Sequence, residues 1–320
     1  MKELGLIGLG NAGRPIAERL LNKGYRLRVY DLKPEPMNAL AELGAVGAAS
    51  VRDAVTQTTL VVLPSSTEVK AAAFGDNGIL AAIKPGFVLI DLSGTDPNFT
   101  RDLEGELDKR SAYFLGATLH AAGAPSVTIP KGLLSILVGG KKEALESSVG
   151  IFKDLCQTVI CVPDPWLPKA MKIAVIMYAA ANSIVSAEVF SWLTAQGIDP
   201  KLFHKLLKTT GSRESAGRVE EFLKRRKSYG GALSNSYKDI RQALEVAASL
   251  NFPLPLMNEV NQLQEMARAQ GLTRLNTPAA MGKLYEILTG VDLSEAVVDS
   301  ERVFPEPQES EVIYLEDLNK

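Results

Sequence analysis

Gly8, Gly10 and Gly13 stand at the spacing G-x-G-x-x-G in the run Gly8-Leu9-Gly10-Asn11-Ala12-Gly13. The apolar segment Glu3–Gly8 leads into it, and the helically spaced Arg14–Lys23 leads out. In that setting each glycine has its own task. The first allows a tight turn, and the second lets the backbone approach a pyrophosphate. The third lets the helix pack on the strand, with its first N–H groups aimed at phosphate. The alternative is a tight turn with no ligand, and the flanking strand and helix argue against it. About twenty residues further on, the second apolar segment ends in Val29-Tyr30-Asp31, where a carboxylate accepts from a ribose 2′-OH and repels a 2′-phosphate. The pattern implies a bound dinucleotide, NAD in preference to NADP. Lys33 is the nearby cation that argues the other way.

Other chemistries are poorly supplied. The only histidines are His120 and His204, and the only cysteines Cys156 and Cys161. These cannot build a four-ligand zinc site or a disulfide framework, so no metal is expected. The cysteines read as buried, reduced and structural. A net charge of −2 gives no reason to expect nucleic acid or an anionic membrane as a partner. The start MKELGLIGLG has no basic leader before a long apolar run, and the expected location is the cytoplasm. Ile173–Val185, interrupted by Asn182 and Ser183, reads as too short and polar to span a bilayer. The basic run Lys224-Arg225-Arg226-Lys227 reads as a solvated helix end, or as an attractor of an anionic substrate or acidic partner.

The elements that must position these residues fall into two halves. A chain of 320 residues, 46% hydrophobic and 22% charged, is long enough for two soluble domains. In the first half, strand-like Glu3–Gly8, Arg26–Tyr30, Leu60–Leu63, Phe87–Leu92, Ala112–Leu115 and Leu133–Val138 alternate with helical segments, Arg14–Lys23 and Pro34–Leu43 among them. Such alternation implies an α/β doubly wound sheet with parallel pairing. From Pro163 the spacing is helical, with a long helix over Lys169–Gln196 and another region over Ile240–Ala267, interrupted near Pro253 and Pro255. The expected division is a dinucleotide-binding Rossmann domain over 1–162, an all-α domain over 163–290 and an acidic tail over 291–320. The tail reads as a solvated end, with Val312-Ile313-Tyr314-Leu315 as a segment able to dock on a partner subunit.

The opening GLGNAGRPIAERLLNKGYRLRVYD resembles the β-hydroxyacid dehydrogenase family, and the likeness extends over about residues 1–290. Val62-Leu63-Pro64-Ser65-Ser66 through Val69, then Phe74-Gly75-Asp76-Asn77-Gly78, is similar to the family's loop near the nicotinamide-side ribose. Asp91-Leu92-Ser93-Gly94-Thr95-Asp96-Pro97 resembles its D-x-S-T-x-x-P segment, with glycine at one hydroxyl position and Ser93 and Thr95 remaining. Met171-Lys172, sixteen residues before Glu188, matches the catalytic-lysine helix, and Tyr237-Lys238-Asp239-Ile240 resembles the K-D-L motif.

The resemblance implies the following site. Gly8, Leu9, Gly10, Asn11, Ala12, Gly13, Asp31, Leu63, Pro64, Ser65, Val69, Ser93, Thr95 and Lys238 hold the cofactor. Lys172 moves the proton that accompanies hydride transfer. Thr118, His120, Ala121, Ala122, Lys238 and Asp239 meet the substrate. Read without the resemblance, Lys172 is a snorkelling surface lysine, as Lys169 is read to be. Lys238 is then a charge on a solvated helix, and His120 a satisfied structural residue. Two departures stand out. Where the family reads close to D-A-P-V-S-G-G, this chain has Gly116-Ala117-Thr118-Leu119-His120-Ala121-Ala122. Where the family has an asparagine one turn after the lysine, this chain has Ile176. The implied activity is hydride transfer between a nicotinamide and a small 3-hydroxy acid or its semialdehyde, in a homodimer or homotetramer. The alternatives are an imine reductase-like or other carbonyl reductase with a less polar pocket, and a dinucleotide-binding regulator without turnover.

Overall fold

In the computed structural model, which describes residues 2–121, 125–210, 219, 222, 232–293 and 310–314, the chain forms two compact units. The first runs to Lys172 and takes in the C-terminal strand, and the second begins at Ile173. The basic run 224–227 and Ala122 lie outside the described residues.

The first unit is built on β1 (Glu3–Ile7), β2 (Arg26–Tyr30), β3 (Val46–Gly47), β4 (Thr58–Val61), β5 (Val88–Asp91), β6 (Tyr113–Ala121), β7 (Leu134–Gly140), β8 (Thr158–Val162) and β9 (Glu311–Tyr314). They form one sheet in the order β3-β2-β1-β4-β5-β6-β7-β8-β9. The reversal of direction beside β1 is the doubly wound arrangement, which opens a crevice at the carboxyl ends of the strands. β1 and β4 carry almost wholly buried residues because helices cover both faces. On one face α1 (Gly13–Asn22), α2 (Pro34–Ala41), α7 (Pro125–Lys131) and α8 (Lys142–Leu155) bury Ile16, Leu20, Leu40, Ile129 and Phe152. On the other, α3 (Val51–Ala54), α4 (Ser66–Ala73), α5 (Ile79–Ala82) and α6 (Pro97–Asp108) bury Ala54, Val69, Ile79 and Leu103.

Three features depart from the sequence expectation. β6 and β7 pair antiparallel, Leu115 opposite Gly140 through Ala121 opposite Leu134, because the chain enters β7 at the end of the sheet where β6 finishes. β8 joins the sheet beyond them. The C-terminal segment is not wholly a solvated end: β9 pairs parallel with β8, Val312 beside Val159 and Tyr314 beside Cys161. Val312 and Tyr314 pack against the core of their own chain, and Ser310 Oγ donates to the carbonyls of Lys153 and Cys156.

The second unit is helical. It contains most of α9 (Leu167–Ala195), then α10 (Pro200–Thr209), α11 (Leu233–Ser249), α12 (Pro255–Ala269) and α13 (Thr277–Thr289). Ala180, Ile184, Phe190, Ile240, Val260, Met281 and Leu284 form its core. Pro255 starts α12, since its fixed φ and missing N–H suit a first helical turn. At 29 residues α9 is, by length and composition alone, able to cross a membrane. This corrects the reading of the apolar stretch as too short. Within the fold one side of α9 is taken up by the second core.

Candidate active site

The glycine loop follows β1. Gly8 has φ +93°, a conformation that side chains resist, and a Cβ there would lie 2.3 Å from the Val62 carbonyl oxygen. A Cβ on Gly13 would lie 1.9 Å from the Gly8 oxygen, so α1 packs directly on the turn. Around Gly10 nothing lies within 4 Å of a built Cβ, which leaves its backbone open to approach. No side chain caps the start of α1 at Ala12, so the first helical N–H groups retain their capacity for a phosphate. Asp31, just past β2, accepts from Leu9 N at 2.7 Å through one carboxylate oxygen and from Lys33 N at 2.9 Å through the other. These features fit a dinucleotide.

Beside this loop the ends of β4 and β5 are tied together. Ser93 Oγ accepts from Leu63 N at 2.9 Å, and Leu63 O accepts from Gly94 N at 3.2 Å. Ser65 caps α4, its hydroxyl accepting from Thr67 N and donating to Glu68. Thr95 donates to Asp91 Oδ2 at 2.7 Å. Ser93 and Thr95 are nearly inaccessible, and Val69 is fully buried in the core. The Ser93 and Thr95 hydroxyls and the Val69 side chain therefore shape the loops from within.

Lys169 is the residue whose role was not legible. Read as a snorkelling surface lysine, it is fully buried at the start of α9. Its ammonium meets Asp91 Oδ2 at 3.0 Å and donates to the carbonyls of Asp91, Ser93 and Ala117 at 2.9, 3.0 and 3.0 Å. Burial opposes the charged form of Asp91. The Lys169 ammonium and the donors of Ser93 and Thr95 outweigh it and hold the carboxyl below its ordinary 3.8. Burial likewise pulls Lys169 below 10.5, against the attraction of Asp91. One side chain thus joins the end of β5, the loop after it, β6 and the start of α9.

The path of the chain to Lys169 explains two glycines. A Cβ on Gly116 would lie 1.9 Å from Pro165 O, and one on Gly139 2.0 Å from Asp164 O. These residues face each other across β6 and β7, and the 164–165 backbone passes directly over both. A glycine inside a strand is the available sequence signal for such close approach.

Lys172 follows one turn later and is half-buried. Burial, and then the nearby Lys172 ammonium, hold the His120 imidazole below its ordinary 6.5. His120 Nε2 lies 3.0 Å from the hydroxyl of buried Thr118. The structure thus brings Thr118, His120 and Lys172 into one neighbourhood, with Ala121 continuing the strand. Lys238 and Asp239 lie on α11 in the second unit. There Asp239 is buried, and the two side chains stand 3.3 Å apart. Ile176, at the family's asparagine position, packs against the second core.

Residues 3–163 match the NAD-binding domain of 6-phosphogluconate dehydrogenase, and residues 168–284 the NAD-binding region of NADP-dependent 3-hydroxyisobutyrate dehydrogenase. The chain belongs to the β-hydroxyacid dehydrogenase family. As a member it is an NAD(P)-dependent oxidoreductase acting on CH–OH groups. It is 28% identical to the NAD-dependent L-serine dehydrogenase of Pseudomonas aeruginosa over 85% of this chain and 94% of that one. It is 27% identical to the mitochondrial 3-hydroxyisobutyrate dehydrogenase of Bos taurus, over 85% and 83% of the two chains. The structure of Mycobacterium tuberculosis 3-hydroxyisobutyrate dehydrogenase with L-serine shares the fold, with a TM-score of 0.77 and 20% identity over 89% of this chain and 99% of that one.

Proposed function

We propose that this β-hydroxyacid dehydrogenase family member transfers a hydride between NAD and a short 3-hydroxy acid or its semialdehyde, with Lys172 as the proton donor and acceptor. The observation that carries the reading is the placement of Lys172 beside His120, on a helix start fixed by buried Lys169. When bound, the nicotinamide supplies or takes the hydride. In reduction, the Lys172 ammonium donates a proton to the carbonyl oxygen as negative charge develops there; in oxidation, the neutral amine takes the hydroxyl proton. The loop 8–13 cradles the pyrophosphate. Asp31 favours NAD, because its carboxylate, braced by Leu9 N and Lys33 N, accepts from a ribose 2′-OH and repels a 2′-phosphate. The relatives that act on L-serine and 3-hydroxyisobutyrate by name support a short β-hydroxy acid.

The test is cofactor oxidation and reduction by wild type and Lys172→Ala, with NAD(H) and NADP(H), against short semialdehydes, 3-hydroxy acids and cyclic imines. The expected result is turnover of the acids or semialdehydes that falls about 10²- to 10⁴-fold in the variant, with NADH binding kept. Equal turnover in the variant would overturn the role of Lys172. A preference for NADPH would overturn the role of Asp31.

A self-associated enzyme is part of the same reading. Along α9, Met171, Val175, Tyr178, Val185 and Trp192 are all exposed. Their steps of four, three and then seven residues keep them on one side of the helix as an apolar stripe, which supports a homodimer or homotetramer.

A further inference from the structure

The hydrogen bond between Thr118 and His120 fixes more than a distance. Thr118 is 2% exposed, and among the described residues its hydroxyl meets only His120 Nε2, at 3.0 Å. A hydroxyl brings one proton and two lone pairs, whereas a neutral imidazole brings one N–H and one lone pair. Suppose that Nε2 carried the proton and donated to Thr118. The threonine's own proton would then be buried with no acceptor among the described residues, an outcome that folded proteins avoid. If Thr118 donates instead, its proton is satisfied and the Nε2 lone pair is used. The imidazole proton must then sit on Nδ1. A doubly protonated ring fails in the same way as the first arrangement, since Nε2–H would again face a hydroxyl with no outlet.

We infer that Thr118 locks His120 in its Nδ1–H tautomer, so that a fixed N–H donor beside Lys172 selects an anionic oxygen of the substrate. This rests on the proposed site and deepens it. His120 and Thr118 lie on the same face of β6, two residues apart. His120 is half-buried, so the ring keeps some open surface while Nε2 is occupied. An N–H donor and an ammonium together complement a carboxylate and disfavour a cationic group such as an iminium. In this account His120 determines specificity, and Thr118 is a positioning residue that acts through it.

Nitrogen-15 NMR of the histidine rings in the full chain, above neutral pH, reads the tautomer directly. The chain has two histidines, and His204→Gln assigns them. Wild type is expected to show His120 protonated at Nδ1. Thr118→Val, close in shape but without the hydroxyl, is expected to release the ring to the Nε2–H form that free histidine favours. Thr118→Ser is expected to keep the wild-type form. Addition of 3-hydroxypropionate with NAD⁺ is expected to move the Nδ1–H resonance. Thr118→Val should raise KM for the acid about tenfold with a much smaller change in kcat. An Nε2–H ring in wild type, or a tautomer indifferent to Thr118→Val, overturns the lock. The expected tautomer with no response to the acid overturns the substrate contact. Lys172→Ala separates the two readings, because its loss of turnover tests the proton carrier while its His120 spectrum still reports the lock.

Discussion

Lys169 and Lys172 stand three residues apart on one helix. Lys169 is sealed among a carboxylate and three carbonyls, whereas Lys172 is half-buried beside His120. Sequence alone supplied the residue types but not this division of labour. Spacing cannot show which lysine of an apolar helix start turns inward, because the acceptors come from β5 and β6, distant in sequence. Removal of Lys169 strands the buried Asp91 charge. Lys169→Met is therefore expected to cost about 3–5 kcal/mol in denaturant unfolding, and Lys169→Met with Asp91→Asn appreciably less. His120 yields a second expectation. Its NMR midpoint should lie below 6.5, and Lys172→Met should move it only part of the way back, since burial is the larger cause. Because the folded value is depressed, the unfolded chain binds more protons between the two midpoints. The stability from this group is full above about 6.5 and is lost as pH falls through the folded value. A stability–pH curve of His120→Asn should be flatter across that window.

At the scale of elements, the glycines divide into those that shape the fold and one that leaves room. The motif 8–13 was legible because strand, turn and helix are local and each glycine has a steric reason. Gly10→Ala meets no neighbour. It is expected to leave the melting temperature within about a degree or two, as surface changes do, while weakening NADH binding in a titration. Gly116→Ala is the converse. Its Cβ would meet the Pro165 carbonyl oxygen, so loss of stability should come first, read as a lower melting temperature. The role of Gly116 was not legible, because the backbone crossing it lies about fifty residues away in the chain. The antiparallel turn of β6 to β7 was hidden for a similar reason: alternation of strands and helices speaks for crossovers and is silent about a return on the same edge. On α9, Trp192→Glu is expected to lower the mass seen in sedimentation if the exposed stripe is the contact between copies.

For the whole molecule, composition and alternation conveyed an α/β part followed by a helical part, whereas the first compact unit runs on into the start of α9, to Lys172 rather than residue 162. They did not convey that the C-terminal segment returns to the first unit. Only four residues form β9, too few to stand out in an acid-rich stretch. Their value lies in pairing with β8 and in the cover that Val312 and Tyr314 give the core. Removal of residues 304–320 is expected to lower the unfolding midpoint and to promote association through the bared edge of β8, measured by denaturation and light scattering.

The same strand sets an order of events during synthesis. β8 is complete when residue 162 has been made, yet its outer partner begins at residue 311, so this ladder must wait for the long helical stretch between them. At about 5–20 residues per second, the open edge of a nascent first unit persists for roughly 7–30 seconds. During that interval the growing chain offers an unpaired strand to its neighbours on the polysome, until Glu311–Tyr314 emerge and close it.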